Sequence, residues 1–90
     1  MPLANLVTLV RTFLVQQFPA AGRMSDADDL FEQGVIDSLG ILDVVAFLER
    51  QFKITVDDEE LIPANFQSVQ QLAAFVRAKL DGVSVRPVGE

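Results

Sequence analysis

One hydroxyl group stands out among the residues able to do chemistry. Ser38 lies between Asp37 and Leu39, where an acidic loop gives way to the most regular helical pattern in the chain. A serine oxygen becomes a competent nucleophile only when a base takes its proton. The chain has no histidine, the usual base at neutral pH, and no cysteine, which removes thiolate chemistry and disulfides together. The carboxylates do not fill the gap. Asp26, Asp28, Asp29 and Glu32 lack the regular oxygen-ligand spacing and the closing glutamate of a calcium loop. Asp57, Asp58, Glu59 and Glu60 could be paired as acid and base, but nothing around them indicates the burial that would hold one protonated. There is no glycine-rich phosphate loop. The expectation is a protein that is not an enzyme and holds no metal, an interaction module with one placed hydroxyl; if that hydroxyl is modified, a separate enzyme must activate it.

The element that positions this hydroxyl is a helix over 38–52. Asp37 or Ser38 can cap its first N–H groups. Ile41, Val44, Val45, Leu48 and Phe52 then recur at helical spacing and make a core face. A second stripe of Leu39, Leu42 and Ala46, edged by Asp43, Glu49 and Arg50, lies on the other side. Either another segment covers that stripe or it is a docking patch rimmed by charge.

The remaining chain supplies a small bundle around this helix. Leu3, Leu6, Val7, Val10, Phe13, Leu14 and Gln17 predict a first helix over 3–17, ended by Pro19 and Gly22. Residues 23–33 read as a long solvated acidic loop anchored by Leu30 and Phe31, with Gly34 relieving a turn. Lys53 to Val56 is an extended connector with Ile54 and Val56 facing inward. A short third helix over 57–61 carries its acids at the N-terminal end and is stopped by Pro63. Residues 64–67 form a loop with Phe66 as a plug. Ser68 and Gln71 make a capping box for a fourth helix reaching about Leu80, with Val69, Leu72, Ala73, Val76 and Leu80 inward and Phe75 at the edge. The fold class is all-α: a four-helix bundle with a short third helix and a long loop between the first and second. Residues 1–82 form one domain and 83–90 a flexible tail.

Composition agrees with such a module. Ninety residues suit one core too small for a deep cleft, and seven phenylalanines in a half-apolar chain argue for a folded domain. A net charge of −6 opposes binding to nucleic acid and to anionic membranes, and favours a partner with a basic surface. No secretion signature opens the chain and no stretch is long enough to span a membrane, so a cytoplasmic protein is expected.

Asp37-Ser38-Leu39 resembles the attachment motif of the acyl and peptidyl carrier proteins. The likeness extends to Leu30-Phe31, Gly34, Ile36, the helix ending Phe47-Leu48-Glu49-Arg50-Gln51-Phe52, Ile54 and Val56, the acids from Asp57, Asn65-Phe66, Ser68-Val69 and Leu72-Ala73, and covers roughly residues 3 to 80. It implies an acyl-carrier-like bundle whose Ser38 takes a covalent 4′-phosphopantetheine from coenzyme A through a phosphopantetheinyl transferase. It also implies an adenylating or acyl-loading enzyme and a downstream acyl- or aminoacyl-transferring enzyme as partners. Asp37, Leu39, Leu42, Asp43, Ala46, Glu49 and Arg50 would meet those partners, with the free protein a monomer. Gly40-Ile41-Leu42 and Pro63-Ala64-Asn65-Phe66 resemble small free-standing carriers of aminoacyl or specialised acyl groups. Arg50 departs from the acid that fatty-acid carriers often have there. A fatty-acid or polyketide carrier and an adaptor without the arm remain the alternatives.

Overall fold

Leu6, Val10, Phe13 and Leu14 fall on one face of the first helix, α1 (Leu3–Gln17), and all four are buried. The structure, a computed structural model, describes residues 2–83. Three more helices follow: α2 (Gly40–Phe52), the four-residue α3 (Pro63–Phe66) and α4 (Val69–Leu80). There is no strand among the described residues. The broadest helix–helix contact joins α1 to α4. Val44 and Leu48 of α2, Phe66 of α3, and Val69, Leu72, Ala73, Phe75 and Val76 of α4 complete the core, with Leu30 and Ile36 closing it from the long loop. Each of the larger of these side chains, from valine to phenylalanine, contributes about 1.5–3 kcal/mol by leaving water. Phe13 stacks on Phe47 with ring centroids 3.7 Å apart, and Phe66 meets Phe75 at 5.3 Å.

The third element differs from expectation. A 3-10 turn occupies Asp58–Glu60, and Pro63 opens α3 rather than stopping a helix. The residue before a proline is pushed out of the α region, so Ile62 is extended (φ −116°, ψ 146°) and divides the segment. Proline at the first helical position then loses no bond, because that N–H would have had no intrahelical partner. Residues 64–66 are therefore helix, not loop.

Four side chains also lie elsewhere than their spacing predicts. Glu60, expected in solvent, is fully buried and pairs with Lys79 Nζ at 2.8 Å. Phe75 is core because Phe66 reaches it, while Leu80 is 44% exposed because the last turn of α4 runs past the core. Leu3 is exposed at the opposite end of the bundle sequence, in the first turn of α1.

The helix ends explain the corners. Lys53 takes a left-handed conformation (φ 57°) after α2, a position that glycine usually fills. The chain turns back there, Ile54 and Val56 pack half-buried on the core, and Glu49 Oε2 accepts the Val56 N–H at 2.9 Å. At α4, Ser68 Oγ accepts the Gln71 N–H (3.1 Å) as its capping role requires. Gly82 (φ 81°) ends that helix, with Val83 N–H donating to the Ala78 carbonyl at 2.9 Å. Apart from Val83, the expected tail lies outside the described residues.

The long segment between α1 and α2 is held far more firmly than a solvated loop. It opens with a 3-10 turn, Pro19–Arg23. Arg11 reaches across from α1: its Nε donates to Asp26 Oδ1 (2.8 Å) and its Nη2 to the Met24 carbonyl (2.7 Å). From the other side, the Gln67 carbonyl accepts the Leu30 N–H (2.7 Å) and Gln70 N–H donates to the Asp26 carbonyl (3.0 Å). Leu30 is buried and Phe31 half-buried, as their anchoring role requires.

Candidate functional site

The loop delivers Asp37, Ser38 and Leu39 to the head of α2, and all three are exposed. Asp37 organises the turn. Its Oδ1 accepts the N–H groups of Leu39 (3.0 Å) and Gly40 (2.7 Å), and its carbonyl accepts that of Ile41 (3.1 Å). Asp37 is thus the capping residue, and Ser38 is left with its hydroxyl free of any hydrogen bond among the described residues. Regular helix begins at Gly40, two residues after the expected start, because this carboxylate draws Ser38 and Leu39 into the capping turn. Asp43 in the first turn of α2 suits the positive end of the helix dipole, and Arg50 in the last turn suits the negative end.

The second stripe of α2 is open. Leu39 is 75% and Leu42 57% exposed, and Asp43, Ala46 and Arg50 are exposed with them. Steps of three and four residues put these side chains on one helix face, starting directly beside Ser38. Glu49 stands apart. It is partly buried, and its carboxylate is occupied by the Val56 N–H. On the opposite face Val44 and Leu48 are fully buried, whereas Ile41, Val45 and Phe52 are half-buried.

Upstream, Asp29 fastens the loop that leads to Ser38. Its carboxyl is held below its usual range, chiefly by the backbone N–H of Glu32, then by the side-chain amide of Gln67, with a smaller contribution from the N–H of Phe31. The distances are 3.0, 2.7 and 2.9 Å.

One structural partner of the site is absent from any motif. Gly40 is buried, and the ring of Phe18, at the end of α1, packs against it. The signal in the sequence is slight: a glycine in the first turn of an otherwise good helix. Phe18, more than twenty positions earlier, carries no local sign of the contact.

Comparison with known proteins converges on one family. The family model described as "Phosphopantetheine attachment site" matches residues 6–76. Over 48 residues the chain is 42% identical to a protein of Serratia sp. (strain ATCC 39006) named "Probable acyl carrier protein PigG", a match covering 53% of this chain and 55% of that one. The chain thus spans about half the length of this curated relative. A solved structure titled "Structure of KstB-PCP(apo)" is 41% identical, covers 76% of this chain and 78% of its own, and superposes with a TM-score of 0.64. An exposed serine turn on a four-helix bundle, a family match across most of the chain and a solved relative of the same fold lead to one conclusion: the chain belongs to the phosphopantetheine-attachment family of carrier proteins, non-catalytic domains that present a thioester-bound group to partner enzymes.

Proposed function

We propose that Ser38 carries the 4′-phosphopantetheine arm and that the protein shuttles an acyl or aminoacyl group between separate enzymes. The observation that carries this reading is the state of Ser38. Its hydroxyl is exposed, makes no hydrogen bond among the described residues, and stands on a turn whose capping is done by Asp37. A bulky group added there displaces no internal contact, so the residues present fit the arm.

The chain's own residues orient the hydroxyl and leave its proton to a partner. Ser38 Oγ would form a bond to the phosphorus next to the pantetheine of coenzyme A as the phosphoanhydride bond breaks. Adenosine 3′,5′-bisphosphate leaves, and the hydroxyl proton passes to a base on the phosphopantetheinyl transferase, since this chain has no histidine to receive it. When bound, the arm supplies a thiol on a long flexible tether, which holds cargo as a thioester. Tethering replaces diffusion between partners by a high effective concentration. The open stripe of Leu39, Leu42, Asp43, Ala46 and Arg50 supports a docking role toward the transferase, an adenylating or acyl-loading enzyme and a downstream transferring enzyme. This reading places the protein in the cytoplasm, where coenzyme A and the transferase would meet it.

Incubation with coenzyme A and a broad-specificity transferase should add one phosphopantetheinyl group, mapped by peptide mass spectrometry to Ser38 and abolished in Ser38→Ala. Labelling that survives in the mutant, or maps to another residue, refutes the assignment. Intact mass of protein from its native cells, with thioesters preserved, would identify the cargo.

A further inference from the structure

Gly40 has a helical backbone that any residue could adopt, so its identity calls for another cause. A Cβ built there would lie 3.4 Å from Asp37 Oδ1 and 3.4 Å from both Cε1 and Cζ of Phe18. The bare face of Gly40 is therefore what the Phe18 ring rests on. Its N–H meanwhile gives Asp37 the shorter of the two capping bonds, at 2.7 Å. The ring itself has little freedom of backbone. Phe18 closes α1, its N–H donating to the Leu14 carbonyl (2.6 Å), and Pro19 follows directly. A line of contacts thus runs from the end of α1, through an aromatic edge, to the residue that holds the Asp37 carboxylate. Ser38 lies inside the turn which that carboxylate closes.

We propose that Phe18 and Gly40 are positioning residues for the modification of Ser38: the ring braces Gly40, Gly40 braces Asp37, and the turn then presents the Ser38 hydroxyl in one orientation. The proposal rests on Ser38 being the attachment site. A Cβ at position 40 would already touch both the ring and the carboxylate, so a side chain larger than a methyl presses on one or the other. A shift of either loosens the turn without touching the docking stripe of α2. The effect belongs in kcat, where alignment of the attacking oxygen matters, rather than in KM. Misplacement of a reacting group by about 1 Å can cost on the order of a hundredfold in rate.

The test is steady-state kinetics of transfer from coenzyme A by a broad-specificity transferase, alongside thermal unfolding. Gly40→Leu and Phe18→Leu should each lower kcat by about tenfold or more, with KM little changed and the protein folded at the assay temperature. The double variant Gly40→Leu/Phe18→Ala, which returns volume to the space the ring vacates, should recover most of the loss. Wild-type kcat in Gly40→Leu, or a loss that the double variant does not recover, overturns the proposal. If Gly40→Leu does not fold, Phe18→Leu decides alone, because it keeps apolar bulk and removes only the ring edge; wild-type kcat there is equally fatal. Wild-type protein that takes no group at Ser38 would instead sink the attachment reading itself, a result distinguishable from failure of the brace.

Discussion

The Glu60 carboxylate, with no exposure to solvent, sits 2.8 Å from the Lys79 ammonium, which is itself nearly buried. Glu60 Oε1 also accepts the Asp57 N–H at 2.9 Å, and the Glu60 carbonyl accepts Asn65 Nδ2 at 2.8 Å. One residue thereby joins the acidic turn, α3 and the last turns of α4. Removing one partner of such a pair leaves a buried charge, and typically costs about 3–5 kcal/mol. Lys79→Met should therefore destabilise the protein by about that amount in urea titrations. Glu60→Leu with Lys79→Met should recover part of it. A loss below about 1 kcal/mol in the single variant would show the pair to be as weak as an exposed one.

Acid should loosen the loop before Ser38 through Asp29. Its folded pKa lies below the ordinary 3.8 because Glu32 N–H and Gln67 favour the charged form. A depressed carboxylate stabilises the fold above its unfolded pKa, near 3.9. That contribution is lost as pH falls through the folded value, which lies lower still. The stability difference between wild type and Asp29→Asn should be constant from pH 7 to about pH 5 and shrink as pH falls below about 4. An NMR titration of the Asp29 side chain with a midpoint at or above 3.8 would remove the basis for this.

Capping belongs to Asp37, so Asp37 and Ser38 should separate cleanly. Asp37→Ala should cost about 1 kcal/mol. Ser38→Ala should leave the melting temperature unchanged, because its hydroxyl holds nothing. Equal losses in both variants would mean that the serine shares the cap.

On the open stripe, Leu42→Ala and Asp43→Arg should spare the fold and impair loading. Leu42 is 57% exposed, so truncating it forfeits little burial in the free protein. If a partner covers it, Leu42→Ala weakens loading at every salt concentration, whereas Asp43→Arg slows association most at low salt. Loading kinetics that ignore both substitutions would move the docking site off this face.

Much of this was legible in the sequence because it is periodic or short-range. The spacing of Leu6, Val10, Phe13 and Leu14 defines α1, and the two stripes of α2 separate as a 3.6-residue repeat requires. The Ser68–Gln71 cap and the Asp37-Ser38-Leu39 turn are likewise readable within a few residues. What escaped depends on distant partners. Nothing near Glu60 announces Lys79, and an acid with hydrophilic neighbours reads as surface. Arg11, Gln67 and Gln70 have no local sign that they pin the loop. The split of the third element at Ile62 was available from Pro63, which starts a helix as readily as it ends one.

The bonds that pin the loop carry a consequence for the chain as it is made. Gln67 and Asp29 are 38 positions apart, so the platform under Ser38 cannot close until the chain beyond α3 has emerged and folded back. A ribosome-bound chain ending near residue 60 would expose Ser38 without its native support. If Ser38 is the attachment site, stalled chains of increasing length should acquire the phosphopantetheinyl label abruptly once α4 can dock.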